Sequence, residues 1–506
     1  MPCDRGPMFL WKNAVVLCGL LGIAAFPGAL LVQARWETGY LARLVTSAML
    51  IAMLAVCAMP MLWTQLLFGL LLISCFDQRV PMAATYLFFF FSTPAAGSLL
   101  GIAGAYIAPL TPFMTFSGAL LAGYLIHPTH HLRRPFLMSD VCLLLFILIY
   151  CTCVSLRASA TGVARNIATY GVPYALSYFV LSHVRIAKPE AVLRLITLGA
   201  AAGALPCIFE TLRHWPLYAG VAGIKGDLWT IDAPRTWLER GGVLRAFGPY
   251  AHPLTGSAML GIAAVAAWGL FLARGRSGAL LFLVLMISGG LAATLSRSGL
   301  IAAAIGLMVF QMLRGRYLLA VLVPLAGIAL LVTLPILGGE DAQFSNVYRL
   351  GLVTGVPQAL GSHVWLGYRE AVEQGLLDEF IQGQGIVDLV NSYISLIVQG
   401  GLVSLAAFCL FLASTFPHYR AILRMRPDRE ELLLAQALVA VQAALIVALA
   451  LLSGWSAPMQ LSFLVIAMLI ALRFNLASDR ARDAPDRARL VATAPLDPGE
   501  ALPALR

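Results

Sequence analysis

Long apolar runs, each about the 16 or more residues that approach one membrane crossing, recur along nearly the whole chain between short polar stretches. A helix needs roughly 20 apolar residues to cross a bilayer. The pattern predicts spans at 14–32, 45–76, 83–98, 110–126, 139–156, 169–184, 191–212, 255–273, 278–294, 297–313, 317–337, 389–414, 432–453 and 457–473. Ala14–Val32 is long enough to be a first transmembrane helix and is not read as a cleavable signal. The run 45–76 exceeds one ordinary crossing and holds Pro60 at its middle. It is read as one kinked helix, because Arg5 and Lys12 point to a cytoplasmic N-terminus and a single crossing keeps the parity. The expected fold is an all-α, polytopic transmembrane bundle of about 12–14 spans over residues 1–473, followed by a disordered cytoplasmic tail, 474–506.

Composition agrees with that pattern: 60% of residues are hydrophobic and only 11% charged, far from a soluble domain. The formal charge of +10 is spread over short loops and does not point to nucleic acid. Arg420, Arg424, Arg426 and Arg429 crowd one loop, and Arg473, Arg480, Arg482, Arg487 and Arg489 crowd the tail. The positive-inside rule makes both cytoplasmic. Arg133, Arg134, Arg185, Lys188, Arg274, Arg276, Arg314 and Arg316 then also fall inside, whereas Arg35, Arg43, Arg157 and Arg165 fall outside against the rule. Two long external loops remain. Loop 213–254 carries Arg213, Lys225, Arg235, Arg240 and Arg245; loop 338–388 is mostly acidic, and its apolar residues from Leu350 to Leu366 predict helices packed over the bilayer.

Arg297, in Ser296-Arg297-Ser298-Gly299, stands at the external lip of a membrane-length apolar run. A guanidinium there snorkels or meets an anion. The nine cysteines sit mostly inside apolar spans and read as small hydrophobes, Cys151 and Cys153 included, so no disulfide or zinc site is expected. His127, His130 and His131 read as a solvated basic loop beside Arg133 and Arg134, not as metal ligands.

Four segments line up in order: Arg245-Ala-Phe-Gly-Pro-Tyr-Ala-His-Pro253, Ser296-Arg297-Ser298-Gly299-Leu300, Arg349 early in the acidic loop, and Val387-Asp388-Leu-Val-Asn391-Ser-Tyr393-Ile394 leading to Gln399-Gly-Gly-Leu-Val403. This order, over about residues 240–415, resembles the bacterial O-antigen ligase/polymerase superfamily. Ligases commonly place a histidine directly before the asparagine; here that position is Val390, and Asp388 is the nearest ionisable group. The resulting Asp-x-x-Asn resembles exopolysaccharide-type members, and on a helix its two ends would share a face.

The resemblance implies a glycosyltransferase of the bacterial inner membrane acting at its periplasmic face on a glycan carried by undecaprenyl diphosphate. The expected activity is a polymerase of lipid-linked repeat units for exopolysaccharide or O-antigen. The alternatives are a ligase to lipid A-core, a lipid-linked glycan transporter or a non-catalytic assembly partner. Chain-length regulator and export proteins are the expected protein partners, and neither cofactor nor metal is expected. Arginine grips phosphate through paired hydrogen bonds and stays charged. Arg297 and Arg245 are therefore assigned to the diphosphate with Arg349 third, and Arg240 is grouped with the substrate-binding residues. Asp388 is the expected base, with its rivals His252 and then His363; Asn391 and Tyr393 are expected to orient donor or acceptor. For Asp388 the structural alternative is a helix N-cap.

Overall fold

The computed structural model describes residues 7–32, 34–57, 59–102, 105–218, 239–240, 242–275, 277–333, 340–381, 387–454 and 456–493. Much of loop 213–254, including Lys225 and Arg235, lies outside the described residues, as do 334–339, 382–386 and 494–506. The fold is an all-α bundle of antiparallel helices. Among the described residues eight helices are long and apolar enough to cross a membrane, and six shorter apolar helices pack among them.

Helices α1 (Pro7–Leu30), α2 (Arg35–Val56), α3 (Met61–Cys75) and α4 (Met82–Ser92) open the chain. A short hairpin of β1 (Ser98–Ile102) and β2 (Ala105–Leu110) precedes α5 (Pro112–Ile126), α6 (Met138–Ser155), α7 (Ala160–Asn166), α8 (Val172–Ser182) and α9 (Pro189–Arg213). A second hairpin, β3 (Glu239–Arg240) with β4 (Val243–Leu244), leads into α10 (Pro253–Ala273), α11 (Gly278–Ala293), α12 (Arg297–Leu313) and α13 (Tyr317–Thr333). Helix α14 (Glu340–Leu360) is followed by α15 (Ser392–Ala413), α16 (Thr415–Arg424), α17 (Arg429–Leu449) and α18 (Ala457–Thr493).

The most enclosed helices are α10, α9 and the first part of α18, whose apolar stretches are 83%, 78% and 78% buried, against 39% for the peripheral α1. Small residues permit this closeness, as is usual where helices pack in lipid. A Cβ on Gly261 of α10 would collide with the Gly299 carbonyl oxygen of α12. Gly299, read in the sequence beside a ligand-binding arginine, is occupied by helix packing: its own Cβ would collide with the Ser257 backbone carbonyl oxygen.

The single crossing expected at 45–76 is corrected. It divides into α2 and α3, which pack against each other, because Pro60 caps α3 and disfavours helical backbone just before it. Arg43 thereby reaches Asp77 at 3.0 Å, at one end of the bundle. Glu37 pairs with Arg194 at 3.1 Å and Glu190 with Arg274 at 2.6 Å, also at this end. Arg35 and Arg43 thus join the other loop arginines at what we term the basic end. The N-terminus moves to the opposite end, where Asn13 Nδ2 donates to the Leu217 carbonyl oxygen at 2.7 Å; the expectation that Lys12 shares a side with Arg424 and its neighbours is corrected with it.

Two further expectations change. The tail continues α18 in helix to Thr493 and is not disordered from 474, since its alanine- and arginine-rich sequence favours helix and Asp479 pairs with Arg185 at 2.6 Å. The histidine loop is only partly solvated: His130 is buried with Nε2 3.1 Å from the Asp77 carbonyl oxygen, whereas His131 is exposed and stacks on Tyr124 at 3.9 Å.

Single cysteines at Lys12 and Arg424, in a cysteine-free chain, are expected to react with a membrane-impermeant maleimide from opposite sides. Labelling of both from one side would restore a single crossing at 45–76.

Candidate functional site

At the end opposite the basic one, Glu210 closes the last turn of α9 and is fully buried. Its carboxylate accepts the backbone N–H groups of Leu217 at 2.9 Å, Phe247 at 3.1 Å and Gly248 at 2.9 Å. A buried carboxylate is tolerated when hydrogen bonds replace its lost water. These three fix the segment that carries Arg245 and His252. The Thr211 hydroxyl lies within reach of the carbonyl oxygens of Leu244, at 3.1 Å, and Ala293, at 2.8 Å, tying the β3–β4 hairpin to the end of α11.

The turn from α11 to α12 is tight. Leu295 has φ of 47°, an unfavourable region for a branched side chain, and precedes Ser296 and Arg297. Carbonyl oxygens at the C-terminal end of α11, where the helix dipole is negative, hold two arginines: Arg240 Nη1 donates to Leu295 at 2.8 Å and Arg245 Nε to Thr294 at 3.5 Å. Ser296 is buried in a hydroxyl chain with Ser257 at 3.0 Å and Ser298 at 2.9 Å. Arg297 therefore starts α12 beside Arg240, whose charge bears on both Arg297 and Arg245.

Arg349 arrives from α14 by helical periodicity. Leu352, Val356 and Leu360 form its buried stripe against Ile394, Ile397 and Val398 of α15, and Arg349 sits one turn before Leu352 on the same face. Its Nε is buried with no hydrogen-bond partner. Burial first, then the Arg297 charge, lowers the Arg349 pKa, while Asp388 acts in the opposite direction. Among the described residues none of Arg245, Arg297 and Arg349 has a carboxylate within ion-pair distance.

Asp388 lies in non-helical chain just before α15. The helix begins at Ser392, and its cap is Asn391, whose Oδ1 accepts from the N–H of Tyr393 at 2.9 Å and of Ile394 at 3.3 Å. The expected helical face shared by Asp388 and Asn391 is thus corrected, and the capping role falls to Asn391. Tyr393 donates its hydroxyl to the Ile446 carbonyl oxygen at 2.9 Å. The fold accounts for both residues without a ligand. Asp388 instead accepts from the Ser453 hydroxyl at 3.0 Å, while the Tyr348 hydroxyl stands 3.1 Å from its backbone carbonyl. Burial above all raises the Asp388 pKa, against the Ser453 hydrogen bond and the Arg349 charge.

His252 is the N-cap of α10, its Nδ1 accepting the Leu254 N–H at 3.1 Å. Its side chain is exposed, and the surrounding protein and then the Arg245 charge disfavour its protonation, lowering its pKa. Burial, then Arg240, likewise lowers Arg245 to about 10. A neutral ring with Nδ1 engaged offers Nε2–H as a donor and is a weak base. His363 is elsewhere, exposed and stacked on Tyr368 at 4.9 Å, whose ring Arg157 covers at 4.1 Å.

Of the residues chosen from sequence, Arg240, Arg245, His252, Arg297, Arg349 and Asp388 are linked in one electrostatic cluster. Asn391 and Tyr393 flank it as structural groups, and His363 is separate. Sequence reading missed Glu210, Tyr348 and Ser453. An acid at the end of an apolar span was a signal for the first; nothing local marks the other two. The arrangement can bind a polyanion and hold one carboxylate beside it. No protein-family model matches this chain, and no curated protein matches it.

Asp388 yields a stability prediction. Its folded-state pKa is raised, so its contribution is fully present below the ordinary aspartate value of 3.8 and is lost as pH rises through the raised one. Asp388→Asn is expected to raise Tm in detergent at pH 7, with the gain closing as pH falls towards 4. A lower Tm than the parent at pH 7 would mean that the ionised carboxylate supports the fold.

Proposed function

We propose that this protein is a polysaccharide polymerase of the bacterial inner membrane, joining oligosaccharide repeat units carried on undecaprenyl diphosphate at the periplasmic face. The observation that carries this reading is the convergence of Arg245, Arg297 and Arg349, joined by Arg240, from three separate parts of the chain, with the Asp388 carboxylate next to Arg349. Like charges are not gathered in a partly buried place without cost. A diphosphate offsets that cost and uses the bidentate geometry of guanidinium.

In the reaction, an acceptor hydroxyl of one repeat unit attacks the anomeric carbon of another. The new glycosidic C–O bond forms as the bond to the diphosphate oxygen breaks, with inversion at that carbon. Undecaprenyl diphosphate leaves with the bond's electron pair, and Asp388 takes the hydroxyl proton. Its raised pKa suits that task better than an ordinary aspartate. The arginines stabilise charge growing on the leaving group, an effect worth on the order of 3 kcal/mol per well-placed donor. His252 contributes a hydrogen bond through Nε2. Buried Val390 leaves no imidazole ahead of Asn391, which favours polymerisation over ligation.

Complementation of a deletion strain tests this reading, with membrane levels of each variant measured. Arg297→Ala is expected to lower polymer output about 100-fold, and Asp388→Asn to abolish it, with single lipid-linked repeats accumulating. Normal polymer from both would sink the assignment. Long lipid-linked chains that never reach lipid A would indicate a ligase, and retention of repeats on the inner face a transporter.

The acid limb of turnover reports Asp388. Activity is expected to fall as pH drops through its raised pKa, and Arg349→Gln, which removes a charge favouring the carboxylate, should move that limb to higher pH. An unmoved limb separates Arg349 from the base.

A further inference from the structure

The basic end carries a second convergence of cations, unrelated to the site above. Helix α12 ends at Leu313, and the turn to α13 contains Arg314, Gly315 and Arg316. Gln436 of α17 donates to the Leu313 carbonyl oxygen at 3.0 Å, fixing that turn against α17. Arg429, the first residue of α17, stands seven positions before Gln436, two turns nearer the helix end on the same face. Arg316 and Arg429 lie near enough for their charges to bear on Arg314, so the three gather where α12 and α17 pack together.

The Arg314 guanidinium lies over the Phe310 ring at 5.5 Å, and its Nη1 is buried without a hydrogen-bond partner. Among the described residues no carboxylate is within ion-pair distance of these three arginines. Two acids of the neighbouring turn are engaged elsewhere, and the third faces another arginine. Asp428 and Glu431 close a reciprocal capping box, and Glu430 lies near Glu190 and Arg274. Burial, then Arg316 and Arg429, lowers the Arg314 pKa, as expected for a cation facing others.

Next to the cluster the bundle turns apolar. Met312 is exposed, and so are Leu318, Val321, Leu322 and Leu325 along α13, forming a face suited to acyl chains. A soluble anion would gain nothing from that face. A lipid whose phosphate meets the arginines and whose chains lie along α13 uses both features.

We propose that Arg314, Arg316 and Arg429 form a binding site for the phosphate group of an acidic phospholipid in the leaflet at the basic end. Positive loop charge in general orients a membrane protein, but an orphaned buried guanidinium nitrogen is not needed for that. Selectivity is expected for a net-negative headgroup over a zwitterionic one, by about fivefold for each arginine engaged.

The full chain, purified in detergent, would be mixed with equal phosphatidylglycerol and phosphatidylcholine and examined by native mass spectrometry. The parent is expected to keep phosphatidylglycerol preferentially, and Arg314→Gln/Arg429→Gln to lose the preference. Arg133→Gln, an exposed arginine outside the cluster, should leave it intact. Arg316→Gln guards against misfolding of the double variant, since Arg316 is exposed, and is expected to lose about fivefold. Undiminished preference in Arg316→Gln and in a monodisperse double variant overturns the proposal. Displacement of the lipid by millimolar inorganic phosphate, with equal thermal stabilisation, overturns it in favour of a free-phosphate site.

Discussion

The buried carboxylate of Glu210 sets the geometry on which the loop end depends. Water is excluded around it, and an ionised or hydrogen-bonding group there costs several kcal/mol unless its lone pairs are met. The chain meets them by folding Leu217, Phe247 and Gly248 back over the end of α9. That single demand draws the ends of a long loop together. It also places Arg245 and His252 against the C-terminal carbonyls of α11, next to Arg297.

From this anchor the remaining pieces follow by packing. The glycine contact between α10 and α12 sets how closely Arg297 approaches His252's helix. On the other side α15 is interrupted at Gly401, whose φ of 75° is one that few other residues adopt. The backbone of 365–368 fills the break: Tyr368 donates its N–H to the Val398 carbonyl oxygen at 2.6 Å, and Val403 donates to that of Trp365 at 3.3 Å. Unsatisfied backbone groups are tolerated at membrane depth only where protein meets them, so the loop and the broken helix require each other. The loop that follows α14 is thereby seated on the helix that Asp388 precedes.

The loop-end cluster is under tension. Arg349 has an orphaned nitrogen and feels two other guanidiniums, and Asp388 holds its charge against burial. Sites that bind charge or transfer protons are commonly held in such unfavourable states, with the surrounding fold supplying the stability. Here that supply is the deeply buried pair α9 and α10, far more enclosed than the peripheral helices.

The sequence alone determined the class of fold, because long apolar runs in water have no alternative to lipid or to one another. It also named the arginines and Asp388, since charge beside apolar sequence is visible without coordinates. Pro60 was legible too, although parity argued from Arg5 and Lys12 gave it the wrong weight; the Arg43–Asp77 pair decides for two helices. Only the tertiary structure decided which residues meet. Asn391 and Asp388 look equivalent in the sequence, yet the helix starts after both, so one becomes the cap and the other remains beside Arg349. Ser453 and Tyr348 entered through contacts 65 and 40 positions away along the chain. Such partners carry no local signal, because a hydrogen bond depends on distance in space and the chain's own periodicity records only its nearest turns.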